Sequence, residues 1–71
     1  MPRVVILSPH RITLGKTIMH AGRRCEVIDA YYSCRARRTV AVVSIRDPLY
    51  GVIQIPAALA ADRTTETGVQ E

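Results

Sequence analysis

At 71 residues, with 10 Lys and Arg against 6 Asp and Glu, the chain has a formal net charge of +4 and room for one hydrophobic core but no second domain. A chain this short buries only about 60% of its unfolded surface, so the core needs a supplement and we expect a homo-oligomer. The opening Met-Pro-Arg-Val-Val-Ile-Leu-Ser holds an apolar run too short for a secretory leader and far too short to cross a membrane. That points to a soluble, cytoplasmic protein with no membrane partner.

In chain order, Val4 to Leu7 is a β-branched run closed by Ser8-Pro9, where proline removes a ladder donor. We read it as the first strand. Ile12, Leu14 and Ile18 carry the β character past Gly15, which suits a bend or bulge, and Lys16 to His20 forms the second strand. Ala21-Gly22-Arg23-Arg24 reads as a tight turn.

The next strand, Cys25 to Tyr32, alternates imperfectly. If Cys25, Val27 and Tyr31 face inward, Asp29 follows them; if Ile28, Ala30 and Tyr32 do, Glu26 follows. A bulge near Asp29-Ala30 resolves the conflict by changing register halfway. Ser33 to Arg38 is polar and arginine-rich, a hairpin tip, and Thr39 to Ile45 is β-branched enough for the central strand.

Arg46 to Gly51, with Asp47, Pro48 and Gly51, is a turn, and Val52 to Ile55 is the last strand, ended by Pro56. Ala57 to Ala61 can form one helical turn. From Asp62 onward there is no apolar period, which predicts a flexible, disordered acidic tail over residues 62–71 behind a domain of residues 1–61. Five short strands joined by tight turns predict an all-β fold, a small barrel or sandwich. With no Phe or Trp, its core is expected to be built from Val, Ile, Leu and Met, with room for one or both tyrosines of the Tyr31-Tyr32 pair.

From Gly15 onward the pattern resembles an SH3-like barrel: Gly15-Lys-Thr-Ile18, the Gly22 turn, Glu26 to Tyr31, a hairpin, Val40-Ala41-Val42, the Pro48 turn, then Val52 to Leu59. The closing Gln54-Ile55-Pro56-Ala57-Ala58-Leu59 resembles the type II, plasmid-borne dihydrofolate reductases, which implies Gln54 and Ile55 lining a pore for folate and nicotinamide. Here the family's tyrosine is missing and Ile53 stands between Val52 and Gln54. A second likeness runs through Ile6-Leu7-Ser8, Gly15 to Met19 and Val42 to Pro48, similar in order to the carbon-storage-regulator RNA-binding proteins. It implies a swapped β dimer gripping RNA loops; Arg11 aligns with that family's first key arginine only across a three-residue insertion.

Nine of the ten basic residues are arginine, the side chain suited to bidentate phosphate contacts and to stacking on bases. Arg35, Arg37 and Arg38 cluster at the expected hairpin tip, where they can meet phosphates while a tyrosine stacks on an exposed base. Arg23, Arg24 and Tyr32 are secondary candidates. The same charges also keep a small protein soluble and discourage edge pairing.

The expected function is therefore a non-catalytic basic module for nucleic acid, RNA over duplex DNA, in a regulatory role. The alternative is an accessory protein of phage or plasmid type that binds a host protein's acidic surface; a reductase is a distant third. Ser8, His10, His20, Asp29 and Asp47 supply the letters of a catalytic set without the spacing of one. The histidines with Cys25 and Cys34 lack metal-ligand spacing, and no cofactor is expected. The two cysteines sit too far apart on one strand for a bridge, so both are expected as free thiols.

Overall fold

The computed structural model describes residues 3–62. The chain is all-β, in the order β1 (Arg3–Leu7), β2 (His10–Leu14), β3 (Thr17–His20), β4 (Arg23–Arg35), β5 (Arg38–Asp47) and β6 (Gly51–Pro56), followed by a 3-10 turn at Ala57–Leu59. Strands β1 and β2 form a two-stranded sheet, while β3-β4-β5-β6 form a curled antiparallel meander. No helix among these residues is long and apolar enough to cross a membrane.

Six strands stand where five are expected, because His10–Leu14 is a strand of its own, folded back on β1 through Ser8-Pro9 with Leu7 opposite His10. Proline marks the end of β1 in the sequence but does not reveal the reversal. The chain then swings from β2 into β3 at Gly15, whose φ of +92° is open to glycine at little cost. There the Gly15 amide donates to the Val27 carbonyl at 2.7 Å, and the Val27 amide donates back to Lys16 at 2.9 Å.

Beside that junction the register of β4 against β5 shifts between Val27 and Asp29, leaving Ile28 as the extra residue. The expected bulge is present, one position earlier. It settles the conflict of faces: Cys25 and Val27 are buried before it and Ala30 after it, while Asp29 turns to solvent. The Asp29 Oδ1 accepts from the Ala30 amide at 2.9 Å, satisfying a donor beside the distorted ladder.

The core is Leu7, Ile12, Cys25, Val27, Ala30, Val43, Ile45, Ile55, Ala57 and Ala60. Ile12 and Ile45 are the largest of its fully buried side chains, each stabilising by about 1.5–3 kcal/mol. Both tyrosines of the Tyr31-Tyr32 pair stay outside it. Cys25 is buried, Cys34 is exposed, and both are free.

Two carboxylates fasten the strands. Asp47, fully buried at the end of β5, accepts from Arg23 Nε and from a second guanidinium nitrogen at 2.8 Å each, and from the Leu49 amide at 2.8 Å. The Arg23 guanidinium also lies 5.1 Å from the centre of the Tyr50 ring, a cation–π contact. One acid thereby ties the start of β4 to the turn before β6. On the two-stranded sheet, Asp62 accepts from the Thr13 hydroxyl of β2 at 2.6 Å, pairs with Lys16, and donates its amide to the Arg11 carbonyl at 2.7 Å. Asp62, expected as the first residue of the tail, is in this way fixed to β2; the rest of that tail, residues 63–71, lies outside the described residues.

The Arg23 hydrogen bonds hold the Asp47 carboxyl down at about 2, below its ordinary 3.8. Burial pushes the Asp62 carboxyl up, but the bonds from Lys16 and Thr13 outweigh it and leave a net lowering. The native state thus binds fewer protons than the unfolded chain in acid, so this stability is present above the ordinary carboxylate range and lost as pH falls through the folded values. We expect the urea midpoint, followed by circular dichroism, to drop steadily from pH 3.8 towards about 2. Asp47→Asn should lower it at neutral pH and flatten that acid slope; an equal slope in the variant would remove Asp47 as its source.

Candidate nucleic-acid interface

Pairing continues past the core. Strand β4 stays opposite β5 as far as Arg35 and Arg38, so the expected six-residue tip is a ribbon closed by only Ala36 and Arg37. Beyond the Tyr32–Ala41 pair, where Ala41 packs on the edge of the core, neither strand contributes to it. The polar Ser33–Arg38 stretch hides this extension, because a ribbon wet on both faces shows no apolar alternation.

Arg35, Arg37 and Arg38 are all exposed on this ribbon. None of them makes an ion pair among the described residues. The arginines of the other cluster fare differently. Arg23 is bound to Asp47, which raises its pKa further, so its charge is balanced inside the fold. Arg24 is exposed at the far end of the same strand, opposite Met19. The two clusters do not form one surface.

The bulge decides which tyrosine accompanies the arginines. Counting on from buried Ala30, Tyr32 points to the inner side of the ribbon, past the core, and is 53% exposed. Tyr31 and Arg35 share the outer face. There Tyr31 shares a hydrogen bond of 3.1 Å with Ser44 Oγ, Gln54 Nε2 donates to the Tyr31 hydroxyl, and Arg35 donates to Gln54 Oε1. A continuous polar chain therefore runs Ser44–Tyr31–Gln54–Arg35 across β5, β4 and β6.

That chain roofs part of the outer face of β5. Val42 and Ser44 are buried although they point away from the core, because Tyr31, Gln54 and Pro56 flank them in register. Pairing with β6 stops at Val42 opposite Pro56, and the chain leaves into the 3-10 turn. Arg38 to Ala41 consequently have β4 on one side and no strand on the other. A cleft of about 280 Å³ opens there, lined by Arg35, Val40, Ala41, Val42, Gln54, Ile55 and Pro56.

Of these, Val40, Val42 and Pro56 are not marked by the sequence, and Gln54 and Ile55 are marked only through a family resemblance; Tyr31 is marked only as one of two tyrosines leading into the tip. Simple alternation puts Tyr31 and Arg35 on one face, and the register shift at Ile28 turns that face away from the core. No group of three or more His, Cys, Asp or Glu that could hold a metal occurs among the described residues. Asp47 is buried and accepts three hydrogen bonds, two from Arg23 and one from the Leu49 amide of its own turn.

Ala36 and Arg37 both hold positive φ, 50° and 66°, as a two-residue type I′ hairpin turn requires. Neither is glycine or asparagine, so both residues cost free energy in the left-handed region. Replacing the pair by Asn-Gly should raise the unfolding free energy by about 1 kcal/mol, read as a higher urea midpoint at unchanged m; no rise would mean that the turn is unstrained.

Compared with known proteins, the chain matches no family model, no curated protein and no solved structure.

Proposed function

We propose that this chain is a non-catalytic, cytoplasmic binding module whose β4–β5 ribbon contacts nucleic acid, single-stranded RNA in preference to duplex DNA, in a regulatory role. The observation that carries the reading is the tip itself: Arg35, Arg37 and Arg38 are exposed on a ribbon that outruns the core, without a carboxylate partner among the described residues. Uncompensated guanidinium groups on a projecting element suit phosphate oxygens, and the adjoining cleft suits bases that are not stacked in a duplex. Arg24 is a separate exposed cation at the opposite end of β4 and plays a secondary part, Tyr32 offers a ring on the inner side of the ribbon, and Arg23 supports the fold.

The architecture that goes with this reading is an SH3-like barrel, with the β1–β2 hairpin covering the open side of the curled sheet. Self-association belongs to it as well. Val4 and Ile6, 42% and 60% exposed, lie on the outward face of β1, which has β2 on one side only. Sedimentation velocity at micromolar concentration should give more than the monomer mass, and a monomer throughout would remove this part of the proposal.

The arginine tip makes a quantitative prediction. Each phosphate contact on a single strand contributes about 0.7 to the slope of log affinity against log salt. Replacing Arg35, Arg37 and Arg38 together by alanine should lower that slope for a generic RNA dodecamer by about 2 and weaken binding at low salt. Affinity that is flat with salt in the wild type would eliminate nucleic acid and favour an acidic protein surface. Nuclease-treated affinity purification from lysate would then identify that partner.

A further inference from the structure

We propose that the cleft where β6 peels away from β5 is a pocket for one unstacked nucleobase of the bound RNA, a step that rests on the nucleic-acid reading above. Three observations point there. The floor and walls are aliphatic, from Val40, Val42 and Pro56, while the polar groups are confined to Arg35 and Gln54. At about 280 Å³ the space falls just short of the roughly 300–1,000 Å³ typical of pockets for drug-sized ligands, and suits a single ring system.

The second observation is that Arg35 is bonded to an amide rather than a carboxylate. Its orientation is fixed and its charge is left uncompensated, with four of its five N–H donors still available. A guanidinium so placed stacks on a flat ring and attracts the phosphate beside it.

Third, Gln54 is oriented at both ends, its Nε2 by Tyr31 and its Oε1 by Arg35. That uses two of its four hydrogen bonds. One N–H and one lone pair remain, a donor beside an acceptor, the pair with which a glutamine amide reads the edge of a base. An apolar slot, an edge-reading amide and unbalanced positive charge at its mouth are together the complement of a nucleotide. A neutral extended peptide would use the slot but not that charge, and an acidic one would leave the edge-reading amide without a base edge to read.

The test compares a single-stranded RNA decamer with a decamer of the same backbone whose central residues are abasic, by fluorescence anisotropy across a salt series. It uses the wild-type chain, Gln54→Ala and Val40→Phe. Val40 lies on the ribbon outside the core and Gln54 is exposed, and circular dichroism confirms that each variant is folded. We expect the intact decamer to bind the wild type roughly tenfold tighter than the abasic one, with equal salt slopes. Both variants should close that gap and keep the slope.

Equal affinities in the wild type, with a steep slope, would overturn the base pocket and leave the RNA reading standing. A gap that survives in both variants would also overturn it, by locating the base elsewhere. Failure of both decamers to bind would refute the nucleic-acid reading and the pocket with it.

Discussion

A single extra residue in β4 decides which side chains of the long hairpin meet solvent on the outer face. Ile28 breaks the alternation between Val27 and Asp29, so that odd positions point inward before it and outward after it. Without that shift, Ala30 would leave the core and Asp29 and Tyr31 would enter it, a carboxylate among Val43, Ile45 and Ile55. The bulge averts the burial of an unpaired charge, and in doing so delivers Tyr31 and Arg35 to the face where Gln54 stands. The chemistry of the cleft is thus a consequence of how the core avoids an acid. The Gly15 and Lys16 backbone bonds to Val27 sit beside the bulge and tie the strand down just before it.

Charge follows a similar division. Of the acidic residues described, Asp47 and Asp62 are drawn into the fold, where they engage Arg23 in one case and Arg11, Thr13 and Lys16 in the other. These pairs join segments distant in sequence, and the bidentate geometry at Arg23 is the strong form of such a contact. Glu26 and Asp29 remain exposed on the lower half of β4, away from the tip. Positive charge is therefore balanced within the fold at Arg23 and around Asp62, and left without an ion pair among the described residues at Arg24 and at the ribbon tip. Counting arginines along the chain cannot show this. Arg23 and Arg24 are neighbours in sequence, yet one is a structural clamp and the other a surface cation.

What the sequence revealed and what it hid follow from the same physics. The all-β class, the turns at Gly22 and Pro48 and the central strand were legible because β-branched runs and turn residues act locally. The bulge was legible from the clash of faces around Asp29. The separate strand β2 was not, since a hairpin reversal at Ser8-Pro9 reads the same as a strand end. The length of the ribbon was hidden too, because Ser33, Arg35 and Arg38 pair through their backbones while their side chains carry no pattern. Gln54 looks in sequence like one polar residue in an apolar strand; its role arises only from register, which puts it opposite Ser44 and beside Tyr31.

The ribbon also explains why a domain of this size tolerates a strained turn. Beyond Tyr32 and Ala41 no side chain packed on the core holds β4 and β5 together, so order there depends on the backbone ladder and on the Arg35–Gln54 bond that ties the arm to β6. Segments with few buried contacts open at lower free energy than the core, and left-handed conformation at Ala36 and Arg37 lowers that cost further. A tip optimised for stability would carry asparagine and glycine and one fewer cation. Keeping Arg37 in the turn sets three exposed guanidinium groups at the end of the ribbon, while the clamp at Asp47 fastens its far end to the turn before β6. Few buried contacts hold the tip, whereas the base of the ribbon is held by the Gln54 amide, which bonds both Tyr31 and Arg35 and so joins β4 to β6 across the outer face of β5.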